Sequence, residues 1–111
     1  MDVVKAMTTD IKMRAQLKDD ITEVKVLMSH PMETGRRKND ANEIIPAHFV
    51  QLVTATLNGK TVLEAQWGTG VSKNPYLTFR LANARVGDTV AVTWLDNLGQ
   101  TSSQQIQVVA V

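Results

Sequence analysis

Apolar and polar residues take turns along Ile11-Lys12-Met13-Arg14-Ala15-Gln16-Leu17, and the same period of two returns in segment after segment of this chain. Alternation of that kind sorts side chains onto the two faces of an extended strand, whereas a helix would scatter them around its circumference. A second run, Thr22 to His30, sets Val24, Val26 and Met28 against Glu23, Lys25 and, less cleanly, Leu27 and Ser29. Asp19-Asp20 supplies the turn between the two. A third run, Ala47 to Leu57, is dense in β-branched and aromatic residues and leads into Asn58-Gly59. Both of those residues tolerate positive φ, which makes the pair the strongest short hairpin signal in the chain.

The return strand spans Lys60 to Trp67, and Gly68 to Pro75 reads as a long loop. Tyr76 to Leu81 alternates Leu77, Phe79 and Leu81 with Thr78 and Arg80. Thr89 to Leu95 directs Val90, Val92 and Trp94 to one side, and Ser102 to Val109 or beyond places Ile106 and Val108 on one face with Gln104 beside them. Val86-Gly87-Asp88 and Asp96-Asn97-Leu98-Gly99 are turns. These runs make seven strand candidates with no amphipathic helix among them, in a chain of 111 residues that suits one domain, residues 1–111. The fold class expected is all-β, an immunoglobulin-like antiparallel β-sandwich of about seven strands. Trp94 belongs to its core; Trp67, beside a glycine-rich loop, is a candidate for an exposed rim.

Twelve Lys and Arg against eleven Asp and Glu leave a formal charge of +1, too weak a field to hold a polyanion through many phosphate contacts. Nucleic acid is not an expected partner. The one basic run, Arg36-Arg37-Lys38, is followed at once by Asn39-Asp40-Ala41-Asn42-Glu43 and reads as a solvated loop. The chain has no cysteine, which removes disulfides, thiolate metal ligands and thiol nucleophiles together. Met1 to Asp20 holds no apolar stretch of signal-peptide length, and no later run is long enough for a helical membrane span. Taken alone, these features read as cytoplasmic, and the internal Arg36-Arg37 does not serve as an export signal.

Catalytic constellations fare poorly. Ser29 and His30 are adjacent in an extended segment, so their side chains diverge. The acids Asp19, Asp20, Asp40 and Glu43 fall in solvated turns, where raised pKa values are not expected. Gly68-Thr69-Gly70 follows a strand, but Asn74-Pro75 blocks the helix a phosphate loop requires. His30 and His48 flank one polar loop with Met32 nearby, and a soft, copper-type site built from these three is the sharp alternative. Its ligand set is incomplete and its spacing uncharacteristic, so no cofactor and no enzymatic activity are expected. A binding surface remains. Met32, Trp67, Val71 and Tyr76 are larger than solvated loops need, and they serve either a partner or the cap of the core.

Pro31 removes a backbone donor and Gly35 permits a positive-φ turn, so Ser29 to Gly35 is a shaped exit from a strand. The run Val26-Leu27-Met28-Ser29-His30-Pro31-Met32-Glu33-Thr34-Gly35 resembles the Z subunits of the Sox sulfur-oxidation carrier complex. Ile45-Pro46, Leu57-Asn58-Gly59, Asn74-Pro75-Tyr76-Leu77 and Trp94-Leu95-Asp96-Asn97 follow in the matching order, from about Ile11 to the end. The resemblance implies an immunoglobulin-like, non-catalytic subunit that pairs with a SoxY-type chain as a heterodimer. In that family the Y chain carries the substrate-linked cysteine on a glycine-rich arm, and the pair makes transient contact with other Sox enzymes. It also implies periplasmic residence, the Z chain being exported with its partner, in place of the cytoplasmic reading. The loop residues expected to contact the partner are His30, Pro31, Met32, Glu33, Thr34, Gly35, Asn74, Pro75 and Tyr76.

Overall fold

The computed structural model describes residues 10–111, so the part of the leader reading that falls on residues 1–9 lies outside the described residues. Strands β1 (Ile11–Lys18) and β2 (Ile21–Met28) form an antiparallel hairpin, closed by Asp19 and Asp20 at φ 52° and 69°. β3 (Val50–Leu57) and β4 (Lys60–Gln66) form a second, closed by Asn58 and Gly59 at φ 51° and 86°. That is the double positive φ the dipeptide announced. β5 (Tyr76–Leu81), β6 (Thr89–Asp96), β7 (Thr101–Gln107) and β8 (Val109–Ala110) complete the set.

Two four-stranded sheets result, in the orders β5-β2-β1-β8 and β4-β3-β6-β7. The all-β sandwich is therefore the observed architecture, and among the described residues no helix is long and apolar enough to cross a membrane. Its core is the inward row of each alternating run: Ile11, Ala15, Val24, Val26 and Met28 from one sheet face Val53, Ala55, Val90, Val92 and Trp94 from the other. Each fully buried valine contributes roughly 1.5–3 kcal/mol through the apolar area it withdraws from water. Trp94 is buried as expected, and Trp67 packs half-buried against the core instead of standing free at a rim.

The carboxyl-terminal run departs from the single strand expected over Ser102 to Val109. β7 ends at Gln107 on β6, and the chain then changes sheets so that β8 pairs in parallel with β1, Gln16 opposite Val109. Val108 is the pivot. It is 1% exposed, and its amide donates to the Asp88 carbonyl, so the crossing occurs inside the core with its donor satisfied. Among the described residues there are therefore eight strands.

Candidate functional site

Beyond the last residue of β2, the Ser29 amide still donates to the Asp10 carbonyl, one step past the Ile11–Met28 pair. Alternation continues two residues further, turning Ser29 outward and His30 inward, where it is 4% exposed. Asn74 clamps both backbone groups of His30. Its side-chain oxygen accepts the His30 amide at 3.1 Å, and its own amide donates to the His30 carbonyl at 3.0 Å. The chain reverses at Met32, whose φ of 48° is the left-handed region that side chains other than glycine enter at a cost. That reversal aims the Met32 amide at Nδ1 of His30, 3.1 Å away.

His48 reaches the same place from the far end of the polar excursion. Glu33 and His48 exchange backbone hydrogen bonds, Glu33 N to His48 O at 2.7 Å and His48 N to Glu33 O at 3.0 Å, which sets the two loop ends side by side. Gly35, at φ 85°, lies so close to Ala47 that an added Cβ would stand 3.2 Å from the alanine methyl. The loop between is ordered by its own polar groups. Arg37 pairs with Glu33 at 2.6 Å, and Asn39 Oδ1 accepts the amides of Ala41 and Glu43. Arg36, Arg37 and Lys38 are exposed, in keeping with a solvated loop, and the Arg37 hydrogen bond holds the Glu33 carboxyl below its ordinary pKa.

The third component comes from the other sheet. Val90, Val92 and Trp94 face inward from β6, and the next position in that row is Asp96, 2% exposed. Its Oδ1 accepts the amides of Leu98 and Gln100 at 3.0 and 2.8 Å. Its Oδ2 lies 3.1 Å from Nε2 of His30 and 2.7 Å from Nε2 of His48. Burial works to raise the Asp96 pKa; hydrogen bonds from His30, Gln100, His48 and Leu98 outweigh it and hold the carboxyl below its ordinary value. The rings close up around this carboxylate: His30 stands edge-on to Trp94 at 5.0 Å and to His48 at 4.6 Å.

Donor and acceptor roles follow from these contacts. Because the Met32 amide donates to Nδ1 of His30, that nitrogen is unprotonated and Nε2 carries the proton given to Asp96. Nε2 of His48 faces two acceptors, Asp96 Oδ2 and the Gln100 side-chain oxygen at 3.2 Å, so it too is a donor. The carboxylate thus receives four hydrogen bonds. Neither imidazole directs Nε2 as a base at a serine; Ser29 points to the opposite face.

The histidine pair expected at the loop ends is therefore assembled, whereas the methionine is not its third member. Met32 is 5% exposed, and its sulfur accepts the Val50 amide at 3.3 Å. Asp96 takes that place. The turn reading of Asp96 to Gly99 concealed it, although the alternation Val90, Val92, Trp94 projects one step further onto Asp96. Among the loop positions expected to meet a partner, His30, Met32 and Pro75 turn inward, and Glu33 and Gly35 are half-buried. Pro31, Thr34, Asn74 and Tyr76 are exposed. Val71 and Trp67, like Met32, cap the core. Tyr76, 60% exposed, sits opposite Leu27, 42% exposed, in the register of β5 on β2. Together with Lys12, Met13, Arg14 and Lys25 they line a surface groove of about 220 Å³ on the outer face of that sheet.

A family model described as "Sulphur oxidation protein SoxZ" matches residues 11–107. No curated protein matches the chain. Among solved structures, the superoxide reductase (neelaredoxin) from Ignicoccus hospitalis is similar at 17% identity and a TM-score of 0.62, with 100% of this chain and 88% of that chain covered. A point variant of the same reductase gives 18% identity and a TM-score of 0.63 over 98% of this chain and 86% of that one. Similarity at this level of identity shows a common architecture.

Proposed function

The chain belongs to the SoxZ family of sulfur oxidation proteins, and from that membership we propose that it is the non-catalytic Z subunit of a two-chain sulfur carrier. In this reading a SoxY-type chain bears the cysteine to which sulfur intermediates are attached, and the present chain is the rigid body on which that arm is presented to other Sox enzymes. The observation that carries it is a family match running from the first described strand to the last residue of β7. Two features of the molecule support it. The chain has no cysteine with which to hold a sulfur intermediate itself. The buried cluster of His30, His48 and Asp96 joins one sheet to the other through hydrogen bonds, which suits a scaffold.

For the contact with the Y chain, the reading favours the outer face of β5-β2-β1. Leu27 and Tyr76 form an apolar centre there, and Lys12, Arg14 and Lys25 surround it. An aromatic anchor with a charged rim is the usual composition of a specific interface. The superoxide reductases of similar fold lend no activity to this reading, because a shared sandwich does not carry a shared reaction. Periplasmic residence belongs to the same proposal, the chain crossing in company with its partner.

Co-expression with a SoxY-type chain, followed by size-exclusion chromatography at micromolar concentration, tests the pairing. A single species containing both chains is expected. Separate elution of two folded chains overturns the proposal. Cell fractionation of the co-expressed pair tests the compartment, and recovery of the assembled pair in the cytoplasm alone counts against it.

A further inference from the structure

The structure assigns a second capability to the polar cluster: we propose that Nε2 of His30, Nε2 of His48 and Oδ2 of Asp96 bind a divalent first-row transition metal ion. One ligand atom from each of the three residues lies within 4.8 Å of the others, and Oδ2 of Asp96 is 3.1 and 2.7 Å from the Nε2 atoms of His30 and His48, on side chains drawn from both sheets and the intervening loop. Metal–ligand distances of ~2.1 Å let two ligands of one ion stand at most ~4.2 Å apart, so side-chain adjustments of less than about 1 Å bring the set onto a common centre. Two imidazoles and one carboxylate leave coordination positions open, a donor set that suits zinc or iron(II).

The surroundings are those of a supported site. The Leu98 and Gln100 amides fix Oδ1 of Asp96, leaving Oδ2 aimed at the two rings. The Gln100 side-chain oxygen, 3.2 Å from Nε2 of His48, adds an oxygen donor beside the set. Access is from one side. The His48 side chain is 25% exposed, against 2% for His30 and 0% for Asp96.

Loading has a definite consequence for the backbone. Each Nε2 now carries a proton directed at Asp96, and a ligating nitrogen must offer its lone pair instead. The ring proton therefore has to leave Nε2 and sit on Nδ1, by exchange with water. In His30 that places an N–H against the Met32 amide, which loses its acceptor. Met32 already holds a costly left-handed conformation, so the His30-Pro31-Met32 turn is the segment that yields. Metal occupancy and the shape of this turn are thereby coupled.

Titration of the folded chain with Zn²⁺ alone, and separately with Co²⁺ alone, tests the proposal. One equivalent is expected to raise the unfolding temperature, produce ligand-field absorption with cobalt and shift the Met32 amide resonance. His48→Gln keeps an N–H for Asp96 but removes a nitrogen ligand, and at least tenfold weaker binding is expected. Should that variant fail to fold, the ring-nitrogen resonances of His30 and His48 in the wild-type chain give the same answer, since ligation moves them both. No change at a hundredfold excess of metal overturns the site, as does binding that leaves the Met32 amide and both rings unmoved. Pairing with a Y-type chain has no part in these readouts.

Discussion

The imidazole of His30 donates to the carboxylate of Asp96 across 3.1 Å, and this one contact ties the exit of β2 in one sheet to the end of β6 in the other. Both groups are buried, and Asp96 accepts a second proton donor from His48 at 2.7 Å. The sandwich is held by apolar contacts along most of its length and by a polar lock at this end.

Asp96→Asn breaks the lock in a specific way. An amide in place of Oδ2 sets N–H groups against two imidazole N–H donors, leaving buried polar groups unpaired. A loss of about 3 kcal/mol is expected in urea-induced unfolding. A change of less than about 1 kcal/mol would mean that the cluster adds little to stability.

The same carboxylate gives the stability a pH dependence of known sign. The Asp96 pKa is lower in the folded chain than its ordinary value, and an unfolded Asp titrates near ~3.9. Its contribution is therefore present above about pH 4 and disappears as the pH falls through the folded value. Acid unfolding curves of wild type and Asp96→Asn should converge at low pH and separate above about pH 4.

Two glycines that share a backbone conformation should differ in what they tolerate. Gly59 has φ 86° and open space where a Cβ would stand, so Gly59→Ala is expected to cost about 1–2 kcal/mol from backbone strain alone. Gly35 has φ 85° and Ala47 at 3.2 Å from that position, so Gly35→Ala adds a steric clash beside His48 and should cost more. Equal losses in parallel denaturation experiments would remove the close approach of Gly35 to Ala47 as a constraint.

Thr22 offers a test in the stabilising direction. It is fully buried in β2, and among the described residues its hydroxyl has no hydrogen-bond partner. Thr22→Val preserves the branched shape while removing the orphaned group, so a gain of up to about 1 kcal/mol is expected. A loss greater than that in thermal or urea unfolding would show that the hydroxyl is satisfied in solution.

Tyr76→Ala probes the proposed partner face. The side chain is 60% exposed, so chain stability should stay within about 0.5 kcal/mol of wild type. Affinity for a Y-type chain should fall at least tenfold, as expected when an aromatic anchor is removed. Unchanged affinity by titration calorimetry would move the interface away from the Leu27–Tyr76 groove.

Much of the fold is legible in the sequence, for reasons that are local. Residue-by-residue alternation declared the strands because a half-buried strand has no other solution, and Asn58-Gly59 declared its hairpin because both residues accept positive φ. His30 and His48 were recognisable as the ends of one loop. What local reasoning could not reach was the third partner, since Asp96 joins them only once two sheets are stacked. Asp96 also looks like a turn residue, and it does cap the turn with Oδ1 while its other oxygen serves the cluster. The sheet change at Val108 was hidden for a similar reason. Nothing in Ser102 to Val109 marks a break, and the parallel partner of β8 lies almost the whole chain away.

That last pairing orders events in time. β1 is the first described strand to leave the ribosome and β8 the last, yet they are neighbours in one sheet. Until Val109 is available, one side of β1 stays without its backbone partner and the Val108 pivot stays out of the core. Closure of so long a loop is slow relative to hairpin formation. The nascent chain should therefore pass through a stage with its three hairpins, β1–β2, β3–β4 and β6–β7, formed and one flank of β1 unprotected, in which a strand from another chain can compete for it.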